Sequence, residues 1–129
     1  MQAKLSVLLT AVILVICVPV KAHHSFSAVF DVNTSVAVSG TVTKVEWMNP
    51  HAWIYIDVED DNGGFENWGF ELGSPNGLMR RGWTRKSVQV GDAISIAGYR
   101  ARDGSKRGNV KSIVLADGTE LTGMSSVKN

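Results

Sequence analysis

"SVAVSGTVTKVEW", Ser35 to Trp47, decides how the rest of the chain is read. Val36, Val38, Gly40 and Val42 alternate with Ala37, Ser39, Thr41 and Thr43, and the run continues toward Trp47. Alternation with a period of two puts one set of side chains on a core and the other in solvent, so the stretch predicts a long half-buried strand. Gly40 stands in the middle of it, where a strand gains nothing from a missing side chain. Such a glycine marks a bulge or a sharp bend, the device by which a long strand curls into a small barrel. Asn49-Pro50 ends the run.

Outward from there the chain keeps the same grammar. Ala52 to Glu59 reads as a second strand, with Ile54, Ile56 and Val58 on one face and Trp53, Tyr55 and Asp57 on the other. Asp60-Asp61-Asn62-Gly63-Gly64 reads as a hairpin turn. Phe65 to Leu72 follows as a third strand, with Trp68, Phe70 and Leu72 in phase. Ser74 and Pro75 then supply a helix N-cap and a first helical position, and Gly82 a stop. Thr84 caps a further short turn through Ser87, and Val90-Gly91-Asp92 makes a tight turn. Ala93 to Tyr99 and Asn109 to Leu115 are the fourth and fifth strands, separated by a polar loop, Arg102 to Gly108. Asp117-Gly118 turns into a short extension, Thr119 to Thr122. Three strands, a short helix and two strands, with a long bent first strand, predict an all-β five-stranded Greek-key barrel of the OB type. A small β-sandwich is the alternative.

The N-terminal 22 residues are read apart from this domain. Lys4 gives a positive start, Leu5 to Val20 is nearly all apolar, and Val20 and Ala22 occupy the −3 and −1 positions of a signal-peptidase site. The apolar run is short for a membrane span and no stop-transfer charges follow. The expectation is a signal peptide over 1–22, cleaved between Ala22 and His23, a barrel domain over 23–122, and a flexible tail over 123–129. The protein is then periplasmic or secreted. A retained N-terminal anchor is the competing reading.

Removing 22 of 129 residues also removes the single cysteine, Cys17, which excludes thiol chemistry and cysteine–zinc sites from the mature domain. Charge is close to balanced but divided: His23–Met79 carries one basic and eight acidic residues, while Arg80–Lys111 carries nine basic and two acidic ones. Acidic and basic strands facing each other would produce this split, and so would a basic face for an anionic ligand. No overall positive charge draws the chain to nucleic acid. No phosphate loop, G-x-S-x-G nucleophile or H-E-x-x-H pair occurs.

The stretches AHHSFSAVFD, GTVTKVEWMNPHAWIYIDV, ENWGFELGSPNGLMRRGW and VGDAISIAGYRARDGS resemble a family of small secreted proteobacterial proteins, the domain of unknown function 6152. The resemblance spans nearly the whole mature chain. It implies a periplasmic, OB-like barrel and no assigned activity or catalytic residue.

Three residue groups can carry chemistry. If cleavage follows Ala22, His23 brings a free α-amine beside its imidazole, groups that ordinarily titrate near about 8 and about 6.5. The two can chelate one ion, and a flat set of nitrogen ligands suits Cu(II). His51 or His24 can complete the set. The terminal histidine resembles the histidine brace of copper monooxygenases and of some periplasmic copper carriers, and only His23 carries over. Against this, a His-His pair after a leader also serves as a disordered lead-in. Second, Trp47 and Trp53 flank the turn that holds Met48 and His51. Third, Trp68 and Trp83 with Arg80, Arg81 and Arg85 can form an aromatic, cationic face for a small ligand or an envelope component. The alternative for both is that the tryptophans pack in the core and the arginines are solvated. The reading is a binding protein, with Cu(II) as candidate cofactor. An envelope interaction protein with a basic face is the alternative, and a copper-dependent redox enzyme a third.

Overall fold

The computed structural model describes residues 26–123. The expected leader at 1–22, and with it His23 and His24, lie outside the described residues, as does the tail from 124 onward. Eight elements follow one another: α1 (Phe26–Val29), β1 (Phe30–Glu46), β2 (Trp53–Glu59), β3 (Phe65–Glu71), α2 (Pro75–Met79), β4 (Ala93–Ala101), β5 (Arg107–Leu115) and β6 (Glu120–Thr122). The fold is thus mostly antiparallel sheet with one short helix between β3 and β4, as the pattern of the sequence predicts.

The strands lie in the order β3-β2-β1-β4-β5-β6, and β3 pairs in addition with β5. That last ladder is parallel, Gly69 opposite Arg107 and Glu71 opposite Asn109. It returns the pairing to its start, so hydrogen bonds run round a circuit β1-β2-β3-β5-β4-β1. Strand β1 makes this possible by pairing with two partners at once. Its N-terminal two thirds pair with β4 and its C-terminal part with β2, the two overlapping at Thr41. At Gly40, next to that overlap, a Cβ would lie only 2.2 Å from the Asp57 carbonyl oxygen. The glycine in the opening stretch therefore permits a close backbone approach where the strand curls. The register shift itself falls later, between Val42 and Lys44.

The period-two faces sort as expected. Val42, Ile54, Ile56, Trp68, Phe70, Leu72, Ile94, Ile96, Val110 and Ile113 form one buried cluster. Leu78, Trp83 and Val88, from the segment between β3 and β4, close it. Ser74 caps α2, its Oγ accepting from the Gly77 N–H at 3.2 Å with Pro75 in the first turn. Gly82, at φ +91°, ends the turn after it. In the β2–β3 hairpin the Asp60 carboxylate accepts from the Asn62 and Gly64 N–H groups, which holds Gly63 in the left-handed region.

Several boundaries differ from the expectation; β4 runs past Tyr99 to Ala101, which pairs with Phe30. Strand β1 starts at Phe30, six residues before the alternation becomes visible, because a shift between Asp31 and Ser35 breaks the period there. Helix α1 has one turn and no amphipathic period to reveal it. It is held from outside, by the Arg102 guanidinium donating to the Ser27 carbonyl at 2.7 Å and by Phe26 against Phe30 and Tyr99. Strand β5 begins at Arg107 inside the expected loop, since only tertiary pairing with Gly69 makes that residue a strand residue. Hydrogen bonding also reaches Gly123, which donates to Lys111 and accepts from Gly73.

Candidate functional site

The outer face of β2 carries two aromatic rings, Trp53 and Tyr55. Residues two apart on a strand project to the same side, and these rings stack at 6.3 Å with 21° between their planes. Register aligns one cross-strand row on Tyr55: Lys44 of β1, Tyr55, Gly69 of β3 and Arg107 of β5. A second row runs through Trp53: Glu46, Trp53, Glu71 and Asn109. The glycine explains the shape of the platform. A Cβ on Gly69 would stand 3.0 Å from the Tyr55 ring, so the ring lies over the bare backbone of β3.

Charge surrounds the rings. The Arg107 guanidinium sits 4.9 Å from the centre of the Trp53 ring, and the Lys44 ammonium 5.2 Å from that of Tyr55. Lys44 also pairs with Glu46, whose other oxygen accepts from the Tyr55 hydroxyl at 3.2 Å. The hydrogen bond to Lys44 pulls the Glu46 carboxyl below its ordinary pKa and lifts that of Lys44. Burial first, then the bond to Glu46, pushes the Tyr55 phenol up. Beyond Tyr55 the Asn67 amide donates to Asp57 at 2.7 Å and to the Thr43 hydroxyl at 3.1 Å, which extends the polar margin of the platform.

At the Trp53 end the face deepens into a cavity of about 100 Å³ lined by Val29, Phe30, Trp53, Glu71, Ala101, Asp103 and Arg107. His51 lies beside it. Its Nδ1 meets Glu71 Oε1, with the imidazole 43 % and the carboxylate 16 % exposed. A larger, open groove of about 470 Å³ lies at the far end of the β1–β2 ladder, between Gly40, Glu59, Phe65 and Leu115. It holds no cation and only one aromatic ring, so it lacks the convergent groups of the Trp53 face.

The residues singled out in the sequence therefore separate. Trp53 and His51 come to the platform. Trp47 instead packs on the core and against Trp83, ring centres 6.4 Å apart. Trp83 is 3 % exposed and its indole N–H donates to the Thr122 carbonyl at 2.9 Å. Trp83 is thus a buried ring, and with Trp47 and Arg85 it lines a small cavity next to Val45 and Val88. Arg80, Arg81 and Arg85 are exposed on the segment after α2. Lys44, Tyr55, Glu71 and Arg107 belong to the platform and are not singled out by the sequence. For Tyr55 a signal is present, in its place on the outer face of the second strand. For Arg107 no local signal exists, since the parallel β3–β5 pairing alone brings it there.

Among the described residues no group of three or more histidine, cysteine or acidic side chains is arranged to hold a metal ion. Nor is any helix among them long and apolar enough to cross a membrane.

A search of curated proteins returns no match. Three chains of solved structures match. One is the crystal structure of the ZRD-deleted mutant of TiaS in complex with agmatine, at 20% identity and a TM-score of 0.43 over 73% of this chain and 23% of that one. The chain thus spans under a quarter of that protein. The family model described as a family of unknown function, DUF6152, matches residues 11–111, and the chain belongs to that family.

Proposed function

We propose that the chain is an exported binding protein that takes an oligosaccharide on the Trp53–Tyr55 face. The observation that carries this reading is the pair of stacked rings, with Tyr55 over the bare backbone of Gly69, bordered by Glu46, Glu71, Arg107 and Lys44. Sugar rings present apolar C–H faces that stack on aromatic side chains, and hydroxyls that bond to carboxylates and guanidinium groups. Barrels with this strand arrangement use the face of their second and third strands for such ligands. Export through a leader at 1–22 belongs to the same proposal and would place the domain where envelope polysaccharides are found. The test is isothermal titration with neutral and uronic-acid tetrasaccharides. Trp53→Ala should weaken binding by about 10- to 100-fold, the weight of one lost stacking surface. Equal affinity of the variant and the native chain would remove the platform from the function.

A second reading keeps Cu(II). A ligating histidine characteristically has its other ring nitrogen held by a carboxylate, which fixes the ring and leaves one nitrogen for the metal. His51 has this arrangement, with Nδ1 on Glu71 and Nε2 remaining. Val29 and Phe30 line the same cavity as Glu71. Three residues of chain from His23 to Phe26 reach at most about 10 Å, so a processed N-terminal His23 would lie within range of that end of the barrel. His24 would be the auxiliary ligand. Copper titration of the exported, processed chain followed by electron paramagnetic resonance tests it. One nitrogen-rich site, lost in His51→Ala and in a chain with an extra residue before His23, supports the reading. Binding indifferent to both changes sinks it.

A further inference from the structure

We infer that the segment after α2 is a docking ledge for an anionic phospholipid surface, separate from the Trp53–Tyr55 face. From Leu72 to Gly91 the chain contains Arg80, Arg81, Arg85 and Lys86 and no acidic residue. Arg80, Arg81, Arg85 and Lys86 are all exposed. The ion pairs among the described residues are Lys44–Glu46, His51–Glu71, Arg102–Asp31 and Lys106–Glu66, and none of them involves any of the four. Elsewhere in the domain basic side chains are mostly paired or laid over aromatic rings, as with Lys44, Arg102, Lys106 and Arg107. The ledge is where positive charge is left over.

The backbone that carries the four cations is held in place, which separates it from a loose basic tail. Leu78, Trp83 and Val88 anchor the segment in the core at 0–3 % exposure. Between these anchors the backbone makes two tight turns. Arg81 and Gly82 donate to the Leu78 and Met79 carbonyls, and Trp83 returns to Leu78. Thr84 and Ser87 then lock the second turn, the Thr84 N–H donating to Ser87 Oγ at 2.8 Å and the Lys86 N–H to Thr84 Oγ1 at 3.1 Å. A backbone fixed in this way needs no chain ordering to present its cations to a row of phosphates, and guanidinium groups bind phosphate bidentately. Met79, beside Arg80, is 47 % exposed and supplies an apolar side chain that can enter the headgroup layer. A cationic ledge with one apolar contact matches the interface of an anionic bilayer better than a wholly polar polyanion.

The experiment is co-sedimentation of the exported, processed chain with vesicles. One set is phosphatidylcholine alone and the other phosphatidylcholine with phosphatidylglycerol at 3:1, at low and at high salt. Binding is expected only to the anionic vesicles and should fall with salt. Arg80→Gln/Arg81→Gln/Arg85→Gln should lower the partition coefficient by about 100-fold, near fivefold for each cation removed. A control triple, Arg102→Gln/Lys106→Gln/Lys111→Gln, has the same net charge and should bind within a few-fold of the native chain. Equal loss in both triples would show a net-charge effect and overturn the ledge. Absence of binding to anionic vesicles, or equal binding to both lipid sets, overturns it as well. Retention on soluble heparin without vesicle binding would assign the ledge to a polysaccharide instead of a membrane.

Discussion

Gly40→Ala puts the curl of β1 to the test. A Cβ at this position would lie 2.2 Å from the Asp57 carbonyl oxygen, 2.9 Å from its carbon and 3.4 Å from Val58 Cα. All three are backbone atoms of β2, so no side chain can rotate away. Restoring an ordinary contact needs about 1 Å of separation between β1 and β2. The cross-strand pairs Thr41–Asp57 and Val42–Ile56 stand next to the contact. Opening them weakens about two backbone hydrogen bonds, at roughly 1 kcal/mol each. It also loosens the packing of Val42 and Ile56, which are 1% and 0% exposed, for about another 1–2 kcal/mol. Loss of unfolded-state freedom on replacing glycine offsets about 0.4–1 kcal/mol of this. The net is a destabilisation of about 2–3.5 kcal/mol, a fall in Tm of roughly 10–25 °C for a domain of this size. The assay is thermal unfolding by circular dichroism. The comparison is Gly104→Ala, where φ is +75° and nothing lies within 4 Å of a Cβ. That change carries only the left-handed strain, about 1–2 kcal/mol. If Gly40→Ala melts no lower than Gly104→Ala, the close approach at residue 40 is not what shapes β1.

Two further outcomes follow from side chains. Trp83→Phe keeps a ring but leaves the Thr122 carbonyl without its indole donor. It should lower stability by about 0.5–1.5 kcal/mol, the weight of one hydrogen bond, and speed amide exchange in β6 ahead of β4, which hydrogen-exchange mass spectrometry reads. Acid should also act through a definable set of carboxylates. The Asn33 N–H, with the Thr34 hydroxyl, holds the Asp31 carboxyl below its ordinary pKa, the Ser105 hydroxyl does so for Asp103, the Thr119 N–H for Asp117, and Lys44 for Glu46. Each is lower folded than unfolded, so the unfolded chain binds more protons in the window between. Their contribution is complete above the unfolded values, 3.8 for the aspartates and 4.5 for the glutamate, and is lost as pH falls through the folded ones. The urea midpoint should therefore be steady near pH 6 and decline below about pH 4.5; a midpoint that climbs from pH 5 to pH 3 contradicts the assignment.

The fold is legible where burial imposes a period. Ile54, Ile56, Trp68, Phe70, Ile94 and Ile96 announce their strands because large apolar side chains recur at every second position. The turn chemistry of Asp60 to Gly64 and the Ser74-Pro75 cap are equally local, and the sequence shows them as plainly. What escapes has a common cause. Phe30 to Ser35, the single turn of α1 and the first residues of β5 acquire their structure from partners far along the chain. Strand β5 meets β3 in parallel, a pairing that leaves no mark on either segment alone. The candidate site divides in the same way. Trp53 and His51 can be found because unusual residues crowd one turn. Arg107 and Glu71 cannot, because their place depends on which strand lies beside which. For the tryptophans the sequence leaves two readings open, an aromatic face or a packed core; Trp47, Trp68 and Trp83 pack on or in the core, and Trp53 is left with Tyr55 on the outer face.

Chemical-shift mapping of the nitrogen-15-labelled chain, titrated with neutral and uronic-acid tetrasaccharides, bears most directly on the proposed site. Shifts should concentrate at the Trp53 indole N–H and at the Tyr55, Gly69 and Arg107 amides, with the indole signals of Trp68 and Trp83 nearly unmoved. Shifts confined to the groove beside Phe65 or to Arg80–Lys86, or no saturable shift with any of the sugars, would contradict the placement of the ligand on the Trp53–Tyr55 face.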